Sequence, residues 1–305
     1  MSSTTSGLYD SPTSLNLVQR LLSWTLLPSA LVIALAATVA LYHGAVDAMT
    51  AQMGVFFITL ILVNIGQWAI PFKRVWAQSP KRERIADISS WVVLMMVVDP
   101  ILKRGLMPAL MALTVTLAQP AGGLGLFPTA IPLALQVILA LAIAEFGQYW
   151  MHRFAHGGGW LWRVHTMHHS PKRVSLANGF RTNPINMIWH QMAGIFVLML
   201  IGTPEFVIHS MIIVSTAISL FQHINANISF YGWNWVFSTA DLHRWHHAIN
   251  PKDAFCNFGQ NLIIWDQVFG TYRRAVGTAP REVGVEGEDT EALGYWKAVR
   301  KSTIA

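Results

Sequence analysis

Charged side chains are scarce: 21 Lys and Arg and 15 Asp and Glu make up only 12% of 305 residues, while 53% are hydrophobic. With a mean hydropathy of +0.42, that balance excludes an ordinary soluble domain. Cysteine is almost missing. The single Cys256 rules out an intramolecular disulfide, a Cys-ligated zinc site and an iron–sulfur cluster. There is no dinucleotide-binding glycine fingerprint and no His-Glu-x-x-His of a zinc protease. The paired Glu-x-x-His motifs of a soluble di-iron carboxylate bundle are absent too. The net charge of +6 would suit nucleic acid if the basic residues were clustered. They are spread over short loops between apolar runs, which suits anionic lipid headgroups and leaves no nucleic-acid partner to expect.

What is present is a series of long apolar runs. The first twenty residues are polar, with Asp10 and Arg20, and lack a signal-peptide pattern, so the first run is expected to be retained. Leu21 to Leu41 and Met53 to Pro71 each approach the roughly 20 residues a helix needs to cross a bilayer and read as a helical hairpin. Their connection, His43 to Gln52, has no Lys or Arg, whereas the next loop carries Lys73, Arg74, Lys81, Arg82 and Arg84. This asymmetry predicts a cytoplasmic position for that loop. Ile88 to Ala118 is apolar but interrupted by Asp99-Pro100 and Lys103-Arg104, which allows one broken span or a re-entrant pair. After the turn-rich Gln119 to Gly123, Leu126 to Met151 is a further span with Glu145 as its one charge. Ile185 to Ile201 and Phe206 to Phe221 read as a second hairpin. The expected fold is all-α: a bundle of about four membrane spans plus broken or re-entrant segments. Residues 1–125 form the N-terminal hairpin and broken third span, 126–275 a histidine-rich unit, and 276–305 a short polar tail expected to be solvated or to lie on the surface.

Eight of the 12 histidines fall in three boxes: His152-Arg-Phe-Ala-His156, His165-Thr-Met-His168-His169 and His243-Arg-Trp-His246-His247. His223 is a ninth. Residues three and four apart share a helix face, so each box is expected to turn its imidazoles to one side, as metal ligands require. One six-coordinate ion cannot absorb nine imidazoles; two ions would take about four each and keep positions open for oxygen or water. All-nitrogen ligation suits iron, copper, nickel or zinc and disfavours calcium or magnesium, and iron is the preferred choice.

From Ala144 to Arg274 the chain resembles the fatty acid hydroxylase/sterol desaturase superfamily of membrane di-iron oxygenases. The resemblance rests on Glu145 to His156, on His165-Thr-Met-His168-His169-Ser170, on Phe221-Gln-His223-Ile-Asn225 and on the box from His243 to His247. It continues through Asn257-Phe-Gly-Gln-Asn261 into Trp265 to Tyr272. It implies two non-haem irons held by the box histidines in a cytosolic cap, in a multi-pass protein of the cell inner membrane or endoplasmic reticulum. Dioxygen would be used to hydroxylate or desaturate a lipid: an acyl chain, sterol, carotenoid or other membrane lipid. Electrons would come from a separate reductase, ferredoxin or cytochrome.

Relatives often carry a fourth box, HxxxH, but here the position four after His223 is Asn227. Asn225 or Asn227 is expected to complete the metal sphere directly or through water, or to orient a neighbouring imidazole. Glu145, two turns before His152, is read as a catalytic-site carboxylate accepting a hydrogen bond from a ligand imidazole; the alternative is a salt bridge with Arg153 or a neighbouring helix. Asp241 and Asp266 are either similar supports or plain caps. His43, His190 and His209 are taken as packing residues, and Trp160, Trp162, Trp233 and Trp235 as an interfacial belt. Rival functions are a membrane metal transporter, whose ligands should lie at several depths, and a zinc-dependent hydrolase, which would want a general-base Glu in a box.

Overall fold

The computed structural model describes residues 15–118, 124–275, 278–288 and 293–304. The turn expected at Gln119 to Gly123 lies outside them. Among the described residues the secondary structure is helical, and β-pairing is limited to isolated bridges such as Pro71 with Ala226 and Phe237 with Leu262. Five helical segments are long and apolar enough to cross a membrane: Leu17–Tyr42, Ala48–Ala69, Lys81–Leu110, Leu133–Ala155 and Glu205–Gln222. A sixth apolar helix, Pro184–Leu200, is shorter.

The N-terminal hairpin is α1 (Leu17–Tyr42) and α2 (Ala48–Ala69), capped by Asn16 and by Asp47, whose side chain accepts from the Thr50 amide at 2.9 Å. The stretch predicted to be broken is one helical run: α3 (Lys81–Val93), α4 (Asp99–Ile101) and α5 (Met107–Ala118), joined by π-turns at Leu94–Val98 and Leu102–Leu106. Pro100 and Pro108 cannot donate to the helical ladder, and widening the helix by a residue keeps it continuous.

The next span, α6 (Leu133–Ala155), starts seven residues later than expected. Pro128 and Pro132 stop it reaching back to Leu126, and the Gln136 side chain donates to the carbonyls of Thr129 and Ile131. The amides of Leu124, Leu126 and Phe127 instead donate to the carbonyls of Leu200 and Ile201 at the end of α9 (Pro184–Leu200). α9 and α10 (Glu205–Gln222) make the second hairpin. The helices α1, α2 and α10 share one apolar core around Leu27, Val63, Ile213 and Phe221; α6, α9 and α10 share another around Ala140, Leu198 and Val207. At Gly147 a Cβ would come within 2.0 Å of the Ala193 carbonyl, so this close crossing of α6 and α9 requires glycine. The outward faces stay apolar, with Trp24, Val32, Phe57, Ile61 and Ile138 exposed, as contact with hydrocarbon requires.

At one end of the bundle the chain builds a cap: α7 (Gly159–His169), α8 (Leu176–Gly179), α11 (Ala240–His246), α12 (Pro251–Ala254) and α13 (Ile264–Val268). The C-terminal segment departs from a solvated tail. It forms α14 (Tyr295–Ile304), which packs on α7 and α3 with Tyr295, Ala298 and Ser302 buried. Asn183, the N-cap of α9, donates to the hydroxyls of Ser302 and Thr303 at 2.8 and 2.9 Å. Tail and histidine-rich unit therefore share contacts across the boundary drawn at 275.

Candidate metal centre

The end of α6 delivers His152 and His156, α7 delivers His165, His168 and His169, the end of α10 delivers His223, and α11 delivers His243, His246 and His247. These nine side chains gather into two clusters, with ligand atoms in each within 4.8 Å of one another. The first holds His152, His156, His165, His169 and His246; the second holds His168, His223, His243 and His247. Each His-x-x-His-His box is therefore split. The i, i+4 pair His165 and His169 serves the first cluster and His168 the second, whereas His243 and His247 serve the second and His246 the first. On a helix, i+3 and i+4 lie on opposite sides of residue i, so one box reaches two adjacent points. The rings of His169 and His247 stack at 4.3 Å where the clusters meet.

The donor set fits a divalent metal ion. The outer nitrogen of each of five rings faces an oxygen acceptor. His152 Nδ1 donates to the Phe258 carbonyl at 2.7 Å, and His246 Nδ1 to the Cys256 carbonyl at 2.8 Å. His165 Nδ1 donates to Asn186 Oδ1 at 2.9 Å, His168 Nδ1 to the Arg181 carbonyl and His223 Nδ1 to Asn178 Oδ1, both at 3.3 Å. Carbonyl oxygens only accept, so these bonds place the proton on Nδ1 and turn the Nε2 lone pairs inward. There the Nε2 atoms of His152 and His246 lie 2.9 Å apart, those of His165 and His169 3.0 Å, and those of His243 and His223 2.9 Å. In the His152–His246 pair both protons are held on Nδ1, so two lone pairs converge, and in each of the other two pairs at least one lone pair points inward; such convergence suits a cation. Burial pushes the His168 imidazole down to about 4 and that of His246 down to about 3. Burial, then the neighbouring imidazoles, hold His156, His165, His169, His243 and His247 well below the ordinary histidine range. All are neutral at pH 7, as ligation requires.

Glu145 does not make the predicted hydrogen bond to an imidazole, nor the alternative bridge to Arg153. Its carboxylate accepts from the amides of Gln260 and Asn261, the latter at 2.9 Å, and from Asn261 Nδ2 at 3.1 Å. It anchors the loop whose Phe258 carbonyl holds His152. Arg153 donates instead to the Tyr149 hydroxyl. Glu145→Gln can keep one oxygen for the two backbone N–H groups but turns an NH2 toward the Asn261 Nδ2 donor and removes the charge; turnover and metal affinity are expected to fall together by about tenfold, the lower end of what such supports contribute. Parallel activity and metal-binding curves check this.

Asn225 and Asn227 do not reach the histidines either. Asn225 exchanges hydrogen bonds with the Lys73 backbone, both at 3.0 Å, and Asn227 Nδ2 donates to the Pro71 carbonyl. Together they tie the segment after α10 to the end of α2. Asp266 supports the centre through the loop: its two oxygens accept from the Phe258 and Gly259 amides, each at 2.8 Å. Asp241 pairs with the buried Arg244 at 2.9 Å. His43 and His209 lie away from the centre, edge-on to Tyr42 and bonded to Gln52 respectively. His190 does not: its ring is 5.6 Å from that of His152.

Spacing alone missed Asn178, Asn186 and Trp162. The Trp162 ring sits 4.9 Å from His156 and 5.6 Å from His169, so it walls the first cluster rather than belonging only to an interfacial belt. Beside the centre is a cavity of about 210 Å³, lined by His152, His168, His190 and Gln260 and by apolar Leu94, Met187 and Leu220. The thiol of buried Cys256 donates to the Asp253 carbonyl, and burial pushes it up to about 12. Only its main chain meets a histidine, so Cys256→Ser is expected to leave turnover within about twofold of the parent; a steady-state assay decides.

The fatty acid hydroxylase family model matches residues 137–271, which contain all nine clustered histidines. The ornithine lipid hydroxylase OlsE of Rhizobium tropici is 31% identical over 236 residues, covering 77% of this chain and 70% of that protein. The alkylglycerol monooxygenase of Xenopus tropicalis is 30% identical over 128 residues, covering 42% of this chain and 28% of that protein. The human alkylglycerol monooxygenase is 26% identical over 128 residues, covering 42% and 28%. No solved structure matches the chain significantly.

Proposed function

This chain belongs to the fatty acid hydroxylase family and is a membrane-embedded lipid hydroxylase, and we propose that its nine clustered histidines hold two iron ions beside a lipid-binding cavity. The observation that carries the reading is the pair of neutral imidazole clusters at one end of an apolar helical bundle. His152, His156, His165, His169 and His246 would hold one ion, and His168, His223, His243 and His247 the other. Iron bound there would supply the redox chemistry that turns dioxygen on an unactivated C–H bond. One oxygen atom enters that bond and the other leaves as water. The accompanying electron pair comes from a separate reductase, ferredoxin or cytochrome.

The chain's own residues position and shield. Backbone carbonyls and the Asn178 and Asn186 amides fix the ring orientations, so ligand geometry is set in advance of binding. A lipid carbon in the cavity would lie next to His152 and His168, with Leu94, Met187 and Leu220 excluding water around it. Its walls come from the π-turned third run, α9 and α10, so a lipid has access from between the membrane helices. A membrane lipid with a polar headgroup fits the substrates that the relatives' names state, an ornithine lipid and an alkylglycerol. The histidine end faces the cytoplasm of a cell inner membrane or endoplasmic reticulum, in keeping with Lys73, Arg74, Lys81, Arg82 and Arg84 on that side. Confinement of all nine ligands to one place supports catalysis over a metal path, which needs ligands at successive depths.

Membranes containing the chain, a reduced ferredoxin and isotopically heavy dioxygen test this by lipid mass spectrometry. The expected product is a lipid gaining one heavy oxygen atom. Unchanged lipids, or an oxygen drawn from water, contradict the reading; loss of two hydrogens without label makes the reaction a desaturation.

A further inference from the structure

The two clusters are braced by different parts of the chain. In the five-histidine cluster, His152 and His246 rest on the Phe258 and Cys256 carbonyls of one loop. That loop is held by Asp266 and Glu145. In the four-histidine cluster, His223 rests on Asn178 and His168 on the Arg181 carbonyl, both in the segment between α7 and α9. Asn178 Nδ2 in turn donates to the Arg173 carbonyl at 2.7 Å. The two arginines of that segment turn away from solvent toward α3. Arg173 Nη2 lies 2.5 Å from Glu83 Oε2; Arg181 Nη1 lies 3.4 Å from Glu83 Oε1, and its Nε 3.3 Å from Asp87 Oδ1. None of these four side chains is more than 7% exposed. Ser90, one turn further along α3, donates to the Phe180 carbonyl at 2.7 Å.

A quartet of two acids and two guanidiniums buried this deeply is costly to desolvate, and removing one member leaves a buried charge uncompensated. Its evident use is to fix the backbone that carries Asn178 and the Arg181 carbonyl. Resting on the two-iron reading above, we propose that Glu83 and Asp87 are positioning residues for the four-histidine metal site alone. Asp266 and Glu145 serve the five-histidine site in the same way. The two ions are thus braced by different scaffolds: the four-histidine site leans on α3 through the segment between α7 and α9, and the five-histidine site on α6 and the loop before α13, with His165 held from α9 by Asn186. In Asp87→Asn, an isosteric change, the Arg181 side chain loses a counter-charge and its carbonyl loses its fixed aim at His168 Nδ1. Loss of such a support costs about 10–100-fold in metal affinity.

The test is anaerobic titration of the detergent-purified full chain with isotopically enriched ferrous iron, read by iron content and Mössbauer spectroscopy. The parent chain, His246→Ala and His168→Ala assign the two spectral components. Glu83→Gln and Asp87→Asn are expected to lose the component missing from His168→Ala and keep the other, falling from about two irons per chain to about one at limiting iron. Asp266→Asn is expected to do the reverse. The retained component also reports that the variant has folded. Two irons with the parental spectrum in both α3 variants, or equal loss of both components, overturns the proposal. A parent chain that binds no iron in two components contradicts the two-iron reading instead, so the two failures are distinct.

Discussion

Replacing His168 or His246 with alanine is expected to reduce lipid hydroxylation by more than about a hundredfold, beyond what removal of a support behind a ligand costs. The two residues are the crossed members of their boxes. His168 leaves the face of α7 that its neighbours His165 and His169 share and joins the four-histidine cluster; His246 does the converse on α11. Each truncation therefore damages one metal site while its box still supplies the other. His246→Ala also frees the Cys256 carbonyl and removes the ring that approaches His152 Nε2 at 2.9 Å. The imidazole is neutral in the parent, so no charge is left stranded, and the cost falls on metal binding and turnover more than on folding. Single-turnover product yield per chain checks the activity. Turnover within tenfold of the parent in both variants would break the assignment of these rings as ligands.

Arg244→Ala has the largest effect expected on stability. The Arg244 side chain is fully buried inside the last box. Its guanidinium lies 2.9 Å from Asp241 Oδ1, donates to the Ile224 and Ala226 carbonyls at 3.0 and 3.2 Å, and covers the Phe72 ring at 3.9 Å. It thus joins α11 to the segment after His223 and to the end of α2. Alanine takes the counter-charge from a buried carboxylate and leaves two carbonyls short of a donor. Breaking a buried pair from one side costs about 3–5 kcal/mol, and here the desolvated carbonyls add to it. Thermal unfolding in detergent should shift down by several degrees at least. Arg244→Lys should recover part of the loss, since an ammonium reaches one acceptor at a time. A melting temperature equal to the parent's would show that the network contributes nothing.

The histidine boxes were legible because ligand chemistry restricts residue type and helix geometry restricts spacing. The same rule predicts one face per box, and what it missed is that i+3 and i+4 flank that face and reach two clusters. The apolar runs gave the spans within a few residues, and the late start of α6 could have been read from Pro128 and Pro132. The supports were not legible. Glu145 lies on the buried side of α6 as expected, but its partners are amides more than a hundred positions away, which spacing on one helix cannot reveal. Glu83 and Asp87 sit among Lys81, Arg82 and Arg84 and look like part of a charged, solvated loop. Only the fold shows them turned inward toward Arg173 and Arg181. Asn225 drew attention by its closeness to His223, whereas Asn178 and Asn186, in an unremarkable stretch, hold the rings.

The most direct test of the account is the metal content of the purified, iron-replete chain by elemental analysis. About two irons per chain, falling in His168→Ala and in His246→Ala, is the predicted result. Zinc in place of iron after iron-replete expression, or a metal content unaffected by either substitution, would contradict it.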